Sequence, residues 1–171
     1  MTCGMVLELG LDGVVRSVRA PGAAERVAVE GEVRVEVRLL PLLPDGGMAS
    51  LLRAALGSAG WIEGESGGLC RPVGDAMAVL EAGGTVVRVS RVAVASSLPG
   101  GVGGVRVELG VENARALTEA EATVRAELAA AVDGVHREAV MQRARALGDV
   151  ESVTENGSAG GGYELTVVVR G

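Results

Sequence analysis

The stretch VAVEGEVRVEVRLL, residues 27–40, alternates between two kinds of side chain with a period of two. One set is aliphatic, and the other is mostly charged: Val27, Val29, Val33, Val35, Val37 and Leu39 against Ala28, Glu30, Glu32, Arg34, Glu36 and Arg38. Successive side chains of a strand point to opposite faces, so the pattern predicts a strand with one dry and one wet face. Such a strand is typical of an antiparallel sheet, because parallel sheets are usually buried on both faces.

The same alternation predicts further strands later in the chain. It recurs at Val105, Val107, Leu109 and Val111, and again at Tyr163, Leu165, Val167 and Val169. Turn sequences predict hairpins at Asp12-Gly13, at Gly83-Gly84 and at NGSAGGG, residues 156–162. PGGVGG, residues 99–104, is interpreted as a connector into a strand, because a phosphate-binding loop would have to open a helix instead.

Two segments predict helices. The first covers residues 47–59 and places Leu51, Leu52, Ala55 and Leu56 on one side before Gly60. The second begins at Thr118, which forms a capping box with Glu121. Its apolar stripe runs through Val124, Leu128, Val132, Val135, Ala139, Val140 and Leu147, and Gly134 is a candidate position for a kink.

Together these patterns predict an α+β fold in which two helices pack on one face of a twisted, mostly antiparallel sheet. A length of 171 residues suits a single domain covering residues 1–171, with a soft boundary expected at residues 96–104. The chain has 27 glycines, no phenylalanine and no lysine, which is typical of a GC-rich coding sequence. VLELGLDG and VRVELGVEN share a short pattern, from which we infer no duplication.

Charge and hydropathy exclude several classes of function. A net charge of -6 and a pI near 4.9 argue against a nucleic-acid partner, which requires a basic face. No apolar run approaches the ~20 residues that cross a bilayer. The N-terminal segment has no basic leader, so a cytoplasmic location is expected. Cys3 and Cys70 show no metal-ligand or secretory spacing, so reduced thiols are expected.

The sequence contains no strong constellation for catalysis, cofactor binding or metal binding, and we expect a protein that is not an enzyme. His136 is the only histidine and is interpreted as a residue of a helix face. Cys70, beside Arg71, is the one candidate nucleophile; the alternative is a small apolar residue in a short strand. Cys3 is interpreted as an ordinary residue at the start of a strand, with lipid attachment as the alternative.

Trp61 is the only tryptophan of a chain that otherwise lacks large aromatic side chains except Tyr163. We interpret it as a buried plug that follows the first helix, because a single indole fills more space than any aliphatic side chain available here. The alternative is an exposed contact for a ligand.

Three segments carry a resemblance to a known group of proteins: LLRAALGSAGWIEGES (51–66), VLEAGGTVVRV (79–89) and the tail from Arg137 to Gly171, which includes ALGDVESV. Over about half of its length the chain resembles small accessory proteins of bacterial multi-gene systems built around an FtsH-type or MoxR-type AAA+ ATPase. These proteins are related to a cyanobacterial and plastid-encoded family, and their systems are associated with conflict or protein quality control. The resemblance implies no catalytic residues.

Three hypotheses about function follow. The first is a non-enzymatic accessory or adaptor protein that docks on a protein partner, such as an AAA+ ATPase or a protease. The second is a self-assembling structural subunit, a homo-oligomer, because the valine-rich strands carry few prolines to block their edges. The third is an enzyme that depends on Cys70.

Overall fold

The structure, a computed structural model, describes residues 6–9, 13–18, 25–64, 67–97, 101–157 and 163–171, with side chains described from Arg26 onward except at Tyr163. Within these residues the chain forms nine strands and two helices, so the α+β class is confirmed. In chain order the elements are β1 (Val6–Leu9), β2 (Gly13–Val18), β3 (Glu25–Glu36), α1 (Gly47–Ser58), β4 (Ile62–Glu63), β5 (Leu69–Val73), β6 (Ala76–Leu80), β7 (Val86–Ser97), α2 (Val102–Leu147), β8 (Asp149–Gly157) and β9 (Tyr163–Arg170).

The described residues form two compact units. The first combines the described part of Met1–Val37 with Trp61–Glu127, and the second combines Arg38–Gly60 with Leu128–Gly171. Helix α2 contributes residues to both units. The predicted soft boundary at 96–104 includes residues 98–100, which lie outside the described residues, and it stays a prediction.

The first unit contains a seven-stranded antiparallel sheet in the order β1-β2-β3-β7-β6-β5-β4. Its centre is the pair β3 and β7, two strands of twelve residues that pair along their whole length, from Glu25 opposite Ser97 to Glu36 opposite Val86. Strand β3 contains residues 27–36 of the alternating stretch. Its predicted dry face is confirmed, because Val27, Val29 and Val35 are buried.

Helix α2 covers that dry face of the sheet within the first unit. A buried cluster joins Val27 and Val29 of β3, Ala93 of β7 and Leu109 of α2, with Val105 packed against it. Burying these aliphatic side chains contributes roughly 1.5–3 kcal/mol for each large one.

The region 105–111 was predicted to be a strand, and this prediction is wrong because it lies inside α2. The alternating valines also fit a helical spacing: Val105 and Leu109 are four residues apart and pack on the sheet, while Val107 and Val111 are exposed. Burial of one helical face outweighs the preference of valine for strands. The interpretation of PGGVGG as a connector into a strand is also wrong, because α2 begins at Val102.

The predicted start of the second helix at Thr118 is also wrong. Thr118 lies in the middle of α2, and its hydroxyl donates a hydrogen bond to the carbonyl of Ala114 at 2.9 Å, one turn earlier. Glu121 pairs with Arg125 instead of capping a helix end. The helix is continuous through Gly134, where a kink was considered.

The second unit contains α1, the last part of α2 and the hairpin of β8 and β9. Helix α1 buries Met48, Leu52 and Leu56, close to the predicted face and within the predicted bounds. The predicted stripe of α2 is buried at Leu128, Val135 and Ala139, whereas Leu147 is exposed. Strands β8 and β9 form a separate two-stranded sheet.

Three predicted hairpins correspond to paired strands. Strands β1 and β2, β6 and β7, and β8 and β9 all pair antiparallel. The turn between β6 and β7 has Gly84 at a φ of 69°, a conformation that favours glycine. Residues 10–12 and 158–162 of the other two turns lie outside the described residues.

Candidate docking surface

The face of the sheet opposite α2 is exposed along β7 within the part of the chain that the structure describes. In β7 the buried residues Val87, Val89 and Ala93 alternate with the exposed residues Ser90, Val92 and Val94. We use the term open face for the outward side chains of β3, β5, β6 and β7: Ala28, Glu30, Glu32, Arg34, Cys70, Pro72, Met77, Val79, Arg88, Ser90, Val92 and Val94.

The centre of the open face is apolar. Val92 and Val94 are 57% and 59% exposed, and Met77 is also exposed on the neighbouring strand. Val94 lies opposite Ala28 in the β3–β7 register, and Met77 lies opposite Pro72 in the β5–β6 register. Exposed apolar side chains that lie together on one face are more informative than isolated ones and mark candidate interaction sites.

Charged side chains flank this apolar centre. The guanidinium of Arg88 lies 3.1 Å from a carboxylate oxygen of Glu81 and 3.8 Å from one of Glu32, and Arg34 contacts Glu32 at 3.0 Å. These pairs are exposed, so each contributes about 1 kcal/mol or less to folding. For a contact surface, these pairs provide mixed charge beside Val92 and Val94.

The orientation of residues 92–95 follows from the alternation of β7, because Val87 and Val89 are buried while Arg88 and Ser90 face outward. Residues 92–95 read Val-Ala-Val-Ala, so either set could face the core by hydropathy alone. The structure buries Ala93 and leaves Ala95 half-buried, both packed with the start of α2. Small side chains at these positions allow the helix to lie close to the sheet, and the alternation of the strand places the larger valines on the outward face.

A buried polar cluster lies where α2 crosses β3 and β7. The side chain of Arg91 is 8% exposed and donates to the Asn113 side-chain oxygen at 3.0 Å and to a Glu112 carboxylate at 3.1 Å. Asn113 in turn donates to the carbonyl of Val29 at 3.4 Å. Arg91 also lies 3.6 Å from a carboxylate oxygen of Asp75, and its Nε is buried without a partner.

Gly31 lies opposite Arg91 in the β3–β7 register and makes this crossing possible. A Cβ atom at residue 31 would lie 2.5 Å from Cδ1 of Leu117 and 2.9 Å from Nδ2 of Asn113. Both side chains belong to α2. The absence of a side chain at Gly31 therefore lets α2 approach β3 closely.

Trp61 is buried, with 3% of its surface exposed, which confirms the burial that the interpretation as a plug predicts. Its indole N–H donates to Oε2 of Glu127 at 3.4 Å. The other carboxylate oxygen of Glu127 lies 3.1 Å from the guanidinium of Arg71. The Glu127 carboxylate of α2 thus connects Trp61, which precedes β4, to Arg71 of β5.

Cys70 is a half-buried free thiol on the open face, opposite Ile62 and Val79 in the strand registers. Arg71 follows it directly, but strand alternation sends the two side chains to opposite faces, and Arg71 pairs with Glu127. The Arg71 guanidinium therefore does not face the Cys70 thiol. Cys3 lies outside the described residues.

His136 belongs to the second unit and not to the unit that holds Cys70. The backbone N–H of Leu40 donates to its Nε2 at 3.0 Å, which fixes Nε2 as an acceptor and leaves the hydrogen of the neutral ring on Nδ1. The imidazole thus anchors the chain segment before α1 to the last part of α2.

Replacing His136 with alanine is expected to lower the free energy of unfolding by about 1 kcal/mol, because the Leu40 N–H loses its acceptor. His136→Gln, which can place an oxygen near the position of Nε2, is expected to recover most of that loss. Urea unfolding followed by circular dichroism measures both variants. Equal losses for alanine and glutamine would contradict the role of the acceptor.

Two further findings concern only the described part of the chain. No group of three or more histidine, cysteine, aspartate or glutamate side chains lies close enough together to hold a metal ion. Neither helix has a segment with the length and hydropathy needed to cross a bilayer.

Fold and surfaces together define an α+β protein whose sheet has one helix-covered face and one open face. A family model described as FtsH ternary system domain X5 matches residues 16–97 and again residues 85–170. The chain belongs to this family and carries two repeats of the domain, which overlap on β7. Comparisons with curated proteins and with solved structures gave no match.

Both matched regions contain a twelve-residue strand followed by a helix and then by paired strands. In the first region the strand is β3 and the helix α1; in the second they are β7 and α2. The two long strands pair with each other at the centre of the seven-stranded sheet. The repeats therefore meet at β3 and β7.

Proposed function

We propose that this chain is a non-enzymatic accessory protein of an FtsH-associated multi-gene system, and that it docks on a protein partner of that system in the cytoplasm. Membership of the FtsH ternary system domain X5 family over residues 16–97 and 85–170 is the observation that carries the proposal. The proposed partner is an AAA+ ATPase or a protease encoded beside it.

The open face is the proposed docking surface. Its apolar centre at Val92, Val94 and Met77, beside the charged side chains of Arg88 and Glu32, matches the usual anatomy of an interface, in which an apolar core is surrounded by a polar rim. We propose that the partner presents an apolar patch with mixed charge around it. The opposite face of the sheet is occupied by α2.

Co-purification from native lysate tests the proposal of a docking function. The full chain with an affinity tag is expected to recover an AAA+ ATPase or a protease encoded in the same gene neighbourhood. Recovery of neither an ATPase nor a neighbouring gene product, under conditions in which the chain is folded, would contradict the proposal.

A surface substitution tests the open face as the site. Val92→Arg is expected to weaken recovery of the partner at least about tenfold, because it buries an unpaired charge at the centre of the contact. The free energy of unfolding is expected to change by about 0.5 kcal/mol or less, because the side chain is exposed.

Val111→Arg is the matched control, since Val111 is 67% exposed on α2, away from the open face. We expect it to leave partner recovery unchanged. If Val92→Arg and Val111→Arg recovered equal amounts of partner, the open face would not be the docking surface.

A further inference from the structure

Strand β9 forms an outer edge of the β8–β9 hairpin within the described residues. Within the described residues β9 pairs only with β8, and a two-stranded sheet is marginally stable on its own. The backbone N–H and C=O groups along the outer edge of β9 form a template for another strand. This edge runs over eight residues, YELTVVVR, without a proline.

The two edges of the hairpin differ in the features that block pairing. Strand β8 has a register irregularity between Val150 and Ser152, so no residue of β9 lies directly opposite Glu151 in the strand register. Such a bulge twists an edge and discourages the addition of a strand. On the β9 side the residues continue in regular order through the same pairs, so the β9 edge is the open one.

We infer that β9 pairs antiparallel with β9 of a second copy of this chain, with Val167 opposite its own copy on the twofold axis. This arrangement places Glu164 opposite Arg170 of the second copy, and Arg170 opposite Glu164 of the second copy. Leu165 lies opposite Val169 of the second copy. Two opposite-charge pairs then flank an aliphatic centre, which is favourable for directly opposed residues.

Face and charge together select this register. Leu165, Val167 and Val169 are half-buried on one face of the hairpin, while Glu164 and Arg170 are exposed on the other. A shift of one residue would join the apolar face of one copy to the polar face of the other. A shift of two residues keeps the faces but separates Glu164 from Arg170 of the second copy.

Arg170 is available for the contact although it has a partner in its own chain. Its side chain is 77% exposed and pairs with Glu151. A guanidinium has five N–H donors in a planar fork, so it can donate to a second carboxylate at the same time. The pairing produces a continuous four-stranded sheet in the order β8-β9-β9-β8, which removes both open β9 edges.

The mass of the full chain in solution tests the pairing. Sedimentation equilibrium is expected to give a dimer of twice the 17.2 kDa chain mass at high concentration. Glu164→Arg alone and Arg170→Glu alone are each expected to raise the dissociation constant about tenfold, which corresponds to about 1.4 kcal/mol, because each replaces two attractive pairs with two repulsive ones.

The double variant, Glu164→Arg with Arg170→Glu, is expected to restore the dissociation constant. The double variant and Arg170→Glu both lose the ion pair between Arg170 and Glu151. A restored dissociation constant would therefore come from the contact between copies and not from an effect within the hairpin. A strict monomer at high concentration, or a double variant no tighter than the single ones, would overturn the inference.

A disulfide tests the register. In a chain with Cys3 and Cys70 replaced by serine, Val167→Cys is expected to form a covalent dimer under mild oxidation, because residue 167 faces its own copy. Val168→Cys is expected to remain monomeric after denaturation, because residue 168 faces Thr166 of the second copy. Equal cross-linking of the two variants, or none at residue 167, would overturn the inference.

Discussion

Replacing Gly31 with valine is expected to lower the free energy of unfolding by about 3 kcal/mol, although valine normally favours a strand. The new side chain would overlap Leu117 and Asn113 of α2, because even its Cβ would lie within 3 Å of both side chains. Leu117 can change rotamer, but Asn113 is held by Arg91 and by the carbonyl of Val29. Displacing Asn113 would leave buried polar groups without partners, which is the costly part.

Gly134→Ala is the control for the Gly31 experiment. Gly134 lies inside α2 with open space where a Cβ would be placed, so alanine is expected to raise the free energy of unfolding by roughly 0.5–1 kcal/mol. Thermal and urea unfolding followed by circular dichroism measure both variants. A Gly31→Val variant as stable as the parent chain would show that α2 does not cross β3 at this point.

Replacing Trp61 with alanine is expected to lower the free energy of unfolding by about 3 kcal/mol or more and to broaden the unfolding transition, because it removes the largest buried side chain of a core without phenylalanine. It also removes the donor that faces Glu127. The variant contains no tryptophan, so circular dichroism and not fluorescence must follow its unfolding.

Trp61→Phe separates the two contributions in that experiment. Phenylalanine keeps most of the apolar volume but loses the N–H and part of the bicyclic ring, so we expect a loss smaller than that of alanine, of roughly 1–2 kcal/mol from the hydrogen bond and the small cavity. Melting of Trp61→Ala at the temperature of the parent chain, together with loss of partner binding, would reassign Trp61 from the core to a contact surface.

Strand β3 of the first unit could be predicted from the sequence because its side chains alternate in one clear phase. In β3 the valines and the charges separate cleanly, and the structure buries Val27, Val29 and Val35 as predicted. The pair of glycines between β6 and β7 predicted their hairpin for a similar local reason, since the turn needs a positive φ.

The start of α2 could not be predicted because two periodicities coincide there. The segment from Val105 to Val111 fits a strand by alternation and a helix by the spacing of Val105 and Leu109. The choice depends on the sheet, which offers Val27, Val29 and Ala93 as a surface for one helical side. That surface forms from residues far away in the sequence.

The open face and the duplication were missed for different reasons. The Val-Ala-Val-Ala run of residues 92–95 does not by itself reveal its buried side, which the alternation of the preceding residues of β7 sets. The two repeats share the order of their elements, with a twelve-residue strand before each helix, but the helices α1 and α2 differ greatly in length. The short similarity of VLELGLDG and VRVELGVEN does not mark it, because the second segment is helical.

Thiol reactivity on β7 tests most directly the claim that one face of the sheet lies under α2 and the other is open. In a chain with Cys3 and Cys70 replaced by serine, Val92→Cys and Ala93→Cys are compared by alkylation of the native protein. We expect rapid modification at residue 92 and protection at residue 93 until the chain unfolds. Protection at residue 92 with rapid modification at residue 93 would contradict the assignment of the open face and the docking surface proposed on it.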